Sequence, residues 1–342
     1  MLQVTLSTPE HLTFKDVENP LPAKGEVLIK IKRVGICGSD IHAYYGKHPT
    51  VFLPIIQGHE FSGEVAALGA GVNNFSIGEI VTVRPQIVCG KCYHCTHEHE
   101  NVCHNLQVIG CQVPGAAQEY LAVKQDIVIK VPKEFNYDDA AMVEPVAVAV
   151  SAVRSFSSNV DNKNVLVLGA GTIGNLTAQT AKGLGAKSVT VTDVSDEKLA
   201  VAKKCRIDYT INTKKDDLLK ALEILYGPDG LDCVLECVGI EATINQAIKV
   251  CRKESEIIIV GVYGTPPMID MINVQEKELR LIGTLMYLEK DYYMAIDLIK
   301  RKKISLDPLK TARFPLNEYD KAYKYIEQHV STSMKVLIDV PD

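Results

Sequence analysis

Asn164-Val-Leu-Val-Leu168 runs directly into Gly169-Ala-Gly171-Thr172-Ile173-Gly174, and these eleven residues decide the second half of the fold. A continuous apolar run of five residues reads as a strand buried on both faces, which is the mark of a parallel sheet covered by helices. The glycines that follow have separate uses. Gly169 permits a tight turn, Gly171 lets the backbone approach a pyrophosphate, and Gly174 lets the helix pack closely on the strand. Thr172 and Ile173 stand in the first helical turn, whose N–H groups and positive dipole suit phosphate. Asp193 ends the next strand, nineteen residues after Gly174. An acid there accepts hydrogen bonds from ribose hydroxyls and repels a 2′-phosphate, so NAD is favoured over NADP.

Reading outward, strands and helices alternate. Ser188-Val-Thr-Val-Thr192, Leu231 to Glu236, Glu256 to Val260 and Leu279 to Ile282 read as strands, with helices near 196–205 and 242–251. That order implies an α/β, doubly wound parallel sheet. Beyond it come helices near 291–301 and 316–328 and a last strand near 334–338. The first ~140 residues differ: Glu26 to Lys32, Glu79 to Val83, Gln118 to Val123 and Ile127 to Val131 alternate between glycine breaks, as in a bent barrel with long loops. The change of character falls near Pro145.

Two clusters in the β-rich part have the chemistry of metal ligands. Cys89, Cys92, Cys95 and Cys103 fall within fifteen residues. Four thiolates so close suit one tetrahedral ion, and a four-sulfur zinc site is the closed, structural kind. The spacing fits neither common ferredoxin run, and a disulfide framework belongs to small secreted domains. The second cluster is Cys37-Gly-Ser39-Asp40-Ile-His42, with Gly58-His59-Glu60 and Glu144. Catalytic zinc takes three protein ligands and keeps a position open. Cys37 and His59 supply sulfur and nitrogen, and either Glu60 or Glu144 supplies oxygen.

The 342 residues carry a net charge of −5, 46% hydrophobic and 23% charged residues. This length favours two domains. The acidic balance gives no reason to expect nucleic acid or an anionic membrane as partner. Residues 1–20 do not read as a signal peptide, and ten cysteines without one suit a reducing, cytoplasmic compartment.

Gly58-His59-Glu60-Phe-Ser-Gly63 through Gly69-Ala-Gly71-Val72 resembles the zinc signature of medium-chain alcohol dehydrogenases. The four-cysteine lobe, Cys37-Gly-Ser-Asp, Val143-Glu144-Pro145 and the glycine turn follow in that family's order. With glutamate at 144 the chain is similar to the sorbitol, galactitol, butanediol and threonine dehydrogenase branch. The resemblance implies a GroES-like β-rich catalytic domain over residues 1–145 and 287–342, with a structural zinc lobe at 89–103. It implies a Rossmann NAD-binding domain over 146–286. It implies two Zn²⁺ per chain, NAD, an alcohol or ketone as small-molecule partner, and a homodimer or homotetramer formed through the edge strand near 279–285. Asp40 would orient His59, Ser39 would take the substrate proton and pass it toward His42, and Glu144 joins them as a catalytic residue. The reaction implied is oxidation of a secondary alcohol (sugar alcohol, sugar acid or vicinal diol) to a ketone, with hydride passing to NAD⁺. Zinc lowers the pKa of bound water from ~15.7 to ~7. A like effect on an alcohol amounts to roughly 12 kcal/mol, more than any hydrogen bond supplies.

The chain departs from sorbitol dehydrogenase at Ala43, where a tyrosine is expected, with Tyr44 or Tyr45 the nearest substitute. It departs again at Met286-Tyr287, in place of an Arg-Tyr pair. Sorbitol itself is therefore in question. The alternatives are a threonine 3-dehydrogenase, for which no carboxylate-binding arginine is apparent, and a zinc scaffold without activity.

Overall fold

A computed structural model describes residues 1–341, which form two units. One comprises Met1–Glu144 and the chain from Lys310 onward; the other is Pro145–Leu309.

The second unit is built on a six-stranded sheet. Its order across the sheet is Tyr209–Asn212, Ser188–Asp193, Asn164–Leu168, Cys233–Glu236, Glu256–Ile259 and Arg280–Gly283, every neighbouring pair parallel. Alternate residues of the opening strand serve the two faces. Val165 and Val167 join one apolar core with Val189, Val191 and Leu235. Leu166 and Leu168 join the other with Leu222, Ile244 and Ile257. This is why Asn164 to Leu168 shows no polar alternation: helices cover both sides. The sheet's order reverses between strands Asn164–Leu168 and Cys233–Glu236, and open α/β sheets take ligands at the carboxyl end of such a reversal.

The first unit has a seven-stranded, mostly antiparallel sheet centred on the eleven-residue strand Glu26–Ile36. That strand pairs with Glu60–Leu68 on one edge and with Tyr120–Lys124 and Lys335–Asp339 on the other. The bend expected from the glycine punctuation appears as two register shifts against Glu60–Leu68, at Leu28/Ile29 and Ile31/Arg33. The core beneath it gathers Val27, Ile29, Ile31, Phe61, Val81 and Ile338.

By resemblance residues 287–309 go with the catalytic part; here they fall in the Pro145–Leu309 unit. Helix Glu289–Lys300 sets Leu298 against Gly183 of helix Thr172–Gly183. The buried Asp291 pairs with Arg154. The Ser305 amide donates to Gln179 Oε1 at 2.6 Å. Apolar periodicity shows that such a helix covers a core, not which core.

Candidate active site and metal centres

Strand Glu26–Ile36 ends at Cys37, which caps the short helix Gly38–Tyr44. The cap is held by Asp40, whose Oδ2 accepts from the Cys37 amide at 2.9 Å. Asp40 is buried, and its Oδ1 lies 3.5 Å from His59 Nδ1. Burial opposes charging His59, but the Asp40 carboxylate overrides it and holds His59 well above the usual histidine range. The thiols of Cys111 and Cys37 also flank the ring.

Ligand atoms of Cys37, His59 and Glu60 lie within 4.8 Å of one another. Glu60 Oε1 is buried with no hydrogen-bond partner among the described residues. An orphaned carboxylate oxygen beside a thiol and an imidazole is the donor set that fits zinc. Of the two glutamates left open by sequence, Glu144 falls outside this group; it is buried and close enough that its charge acts on Lys335. Ser39 and His42 lie one turn apart on helix Gly38–Tyr44, and so share a face. Ser39 is half-buried and His42 exposed.

Cys89, Cys92, Cys95 and Cys103 also converge to within 4.8 Å. Sγ–Sγ separations of 3.5 Å for Cys92–Cys95, 3.9 Å for Cys92–Cys103 and 4.0 Å for Cys89–Cys95 match the ~3.8 Å edge of a tetrahedron with Zn–S bonds of ~2.3 Å. Backbone amides of Cys95 and His104 bring the Cys92 thiol down to about 5. Desolvation and neighbouring sulfurs push Cys95 up to about 12. A divalent cation removes that conflict by letting all four ionise.

In the second unit Gly169 adopts φ +97°, and a Cβ there would lie 2.7 Å from Val238 Cγ2. A Cβ on Gly174 would stand 1.9 Å from the Gly169 carbonyl oxygen. Gly171 has nothing within 4 Å, an open approach for a phosphate. It begins helix Thr172–Gly183 with no side-chain cap. Asp193 Oδ2 accepts from the Ala170 amide at 2.8 Å, tying the strand end to the turn.

Sequence reasoning missed several supporting groups. Lys335 is buried and pairs with Glu60. The Tyr323 hydroxyl donates to Gln57 Oε1 at 2.7 Å, and Gln57 Nε2 donates to the Asp40 carbonyl oxygen at 2.9 Å. The signal for Lys335 was a lone cation ahead of the apolar run Val336-Leu337-Ile338. Tyr44 is not a free substitute for the missing tyrosine, because its ring stacks on Tyr323 at 4.1 Å. Tyr287 is fully buried against Tyr292, their ring centroids 5.2 Å apart.

A thiol–imidazole–carboxylate cluster and a dinucleotide turn on one chain are the equipment of a metal-dependent, nicotinamide-linked dehydrogenase. Known proteins agree. Residues 23–133 match the alcohol dehydrogenase GroES-like domain, and residues 172–301 match the zinc-binding dehydrogenase family. A sorbitol dehydrogenase of Halalkalibacterium halodurans is 35% identical over 96% of this chain and 95% of its own. The crystal structure of galactitol-1-phosphate dehydrogenase from Escherichia coli superposes with a TM-score of 0.91 at 30% identity, covering 100% of both chains. An alcohol dehydrogenase from E. coli CFT073, solved with its cofactor NADH, gives 0.91 at 30% identity over 99% of each chain. The chain belongs to the zinc-containing medium-chain alcohol dehydrogenase family. It is an enzyme with zinc and nicotinamide cofactors, not an inert zinc scaffold.

Proposed function

We propose that this enzyme oxidises a secondary hydroxyl of a polyol, sugar acid or vicinal diol to a ketone and reduces NAD⁺. The observation that carries the reading is the meeting of Cys37, His59 and Glu60 donor atoms within 4.8 Å. These three would hold the catalytic metal; Cys89, Cys92, Cys95 and Cys103 would hold the structural one. When bound, zinc supplies acidification of a presented hydroxyl and NAD⁺ supplies the hydride acceptor.

The chain's own residues do the rest. Asp40, its Oδ1 3.5 Å from His59 Nδ1, would orient the ring by its charge and leave Nε2 for the metal, as ligating histidines require. Ser39 accepts the substrate hydroxyl proton, and His42, exposed one turn later, releases it to solvent. Glu144 adds negative charge near the cluster rather than a ligand. Gly169, Gly171, Thr172, Ile173 and Gly174 receive the pyrophosphate, and Asp193 receives the adenosine ribose. The carboxylate of Asp193 supports NAD over NADP. A polyol is supported by the relatives' substrates, while Ala43 and Met286 at positions where sorbitol dehydrogenase is polar speak against sorbitol itself.

The test is zinc content together with NAD⁺ reduction on polyols, polyol phosphates, vicinal diols, sugar acids and L-threonine. Two zinc ions and turnover of a polyol-type alcohol are expected. Activity on threonine alone would replace the substrate assignment. No NAD⁺ reduction with any of them would defeat it.

We further infer a homo-oligomer, joined through edge strand Arg280–Gly283. Met268, Met271, Ile272 and Leu285, on the segments flanking that strand, are exposed. Sedimentation of a Met271→Lys/Ile272→Lys variant as monomer is the expected result. A cytoplasmic site is supported by ten unpaired thiols. No helix among the described residues is long and apolar enough to cross a membrane.

A further inference from the structure

Glu236 is the last residue of strand Cys233–Glu236 and is fully buried. It pairs in register with Leu168, the residue before the glycine turn. It therefore stands at the reversal of strand order, opposite Gly169. Its carboxylate is saturated. Oε1 accepts from the Val238 amide at 2.8 Å, the Gly239 amide at 3.0 Å and the Thr243 hydroxyl at 2.8 Å. Oε2 accepts from the Tyr263 hydroxyl at 3.0 Å and, more weakly, from the Gly239 amide at 3.2 Å. Its main-chain oxygen accepts from Val260 at 2.8 Å and Gly261 at 2.9 Å. Burial and the Glu236 charge raise the Tyr263 phenol above its ordinary range, which keeps it a donor.

One side chain thus ties together the loop after its own strand, the first turn of helix Glu241–Val250, and the loop after strand Glu256–Ile259. The two loops touch: a Cβ on Gly261 would lie 2.2 Å from the Gly239 nitrogen, and Gly239 itself takes φ +80°. The same loop presses Val238 against the Gly169 turn. A carboxylate that already accepts five hydrogen bonds has no lone pair left for a ligand. Its influence must pass through the loops it holds.

We propose that Glu236 is a positioning residue for the dinucleotide, fixing residues 237–240 and 260–263 as the wall that faces the Gly169–Gly174 turn. The inference rests on the proposed reading of that turn as the NAD site.

The experiment compares Glu236→Ala and Glu236→Gln in the zinc-loaded enzyme. NADH affinity is read by fluorescence titration, KM for NAD⁺ and kcat by kinetics, and loop order by amide hydrogen exchange without nucleotide. For Glu236→Ala we expect NADH affinity to fall about tenfold or more, KM for NAD⁺ to follow and kcat to change less. Exchange at 237–240 and 260–263 should quicken. Glu236→Gln keeps the oxygen that serves Val238, Gly239 and Thr243, and should stay within about threefold of wild type. A folded Ala variant with wild-type NADH affinity, or a Gln variant as weak as Ala, overturns the proposal. Should Ala not fold, Thr243→Val/Tyr263→Phe cuts two tethers and leaves the carboxylate. It should weaken NADH by about threefold or more, and unchanged binding overturns the idea. Wild-type protein that fails to bind NADH would instead defeat the NAD reading itself.

Discussion

The Lys335 ammonium is buried against the Cys37–His59–Glu60 cluster, held by the Glu60 carboxylate and by the Ile36 carbonyl oxygen 3.1 Å away. Burial pulls its pKa down, but Glu60 and Cys37 outweigh this and raise it above the ordinary lysine value. The ammonium therefore stays charged beside Glu60 and Cys37. One Glu60 oxygen is taken by Lys335, and the other, Oε1, has no hydrogen-bond partner among the described residues. Removing one partner of a buried pair costs about 3–5 kcal/mol, while replacing both with apolar groups is nearly neutral. Lys335→Met should be destabilised by that amount in urea unfolding. Lys335→Met/Glu60→Leu should regain most of it yet lose one of two zinc ions per chain. A single variant as stable as wild type would refute the account.

Gly35 is what lets Glu60 take this place. A Cβ at position 35 would lie 2.3 Å from Glu60 Oε2 and 3.2 Å from Glu60 Cβ. The carboxylate would have to leave Lys335 or the strand would have to shift, an overpacking cost of about 1–3 kcal/mol. Gly35→Ala should fold with a lowered Tm and lose zinc from this site alone. Gly38→Ala, where nothing lies within 4 Å of the added carbon, should keep wild-type stability. Equal Tm and zinc content in both variants would contradict the steric argument.

What was legible in the sequence is what depends on residues close along the chain. The glycine turn and the four-cysteine lobe need only local spacing, and both fold as read. Five of the six parallel strands were legible as short strand segments; the sixth, Tyr209–Asn212, has a single buried aliphatic residue, Ile211, and gives no such signal. What was not legible spans the chain. Lys335 meets Glu60 across 275 positions and Tyr323 meets Gln57 across 266. A lysine in an apolar strand reads as an outward residue until its partner is known. The choice between Glu60 and Glu144 is open in the sequence for the same cause: both are acids near the right motifs, and only the fold brings Glu60 within 4.8 Å of Cys37 and His59.

Asp193 has a second duty beyond its expected one. Its Oδ2 holds the Ala170 amide, and its Oδ1 accepts from the amides of Val194 at 2.7 Å and Ser195 at 2.9 Å. Removing the side chain should loosen the glycine turn as well as the ribose contact. Asp193→Ala is expected to raise KM for NAD⁺ about tenfold and to relax rejection of NADP⁺. Asp193→Asn keeps an acceptor but no charge, so it should relax rejection with a smaller loss of NAD⁺ affinity. An unaltered KM ratio for the two cofactors in both variants would rule out Asp193 as the discriminating group.

The first unit closes on a charged cluster whose pH response has a definite sign. Arg33 Nε meets Asp138 Oδ1 at 2.6 Å, Arg313 binds the other oxygen of Asp138, and Arg33 also binds Asp339. The cluster joins the central strand to the returning C-terminal segment. Burial pushes the Asp138 carboxyl up, but Arg33, Arg313 and Lys310 more than reverse this and hold it below its ordinary value of 3.8. On acidification the unfolded chain therefore takes up this proton before the folded one does. The stabilisation is complete above pH 3.8 and is lost as pH falls through the lower folded value. Asp138→Asn should be less stable than wild type at neutral pH, and the two should converge as pH drops below 3.8. High salt should narrow the neutral-pH gap, since the exposed Arg313 is open to screening. Thermal unfolding across pH measures both effects, and a gap independent of pH would mean that packing rather than charge holds the cluster.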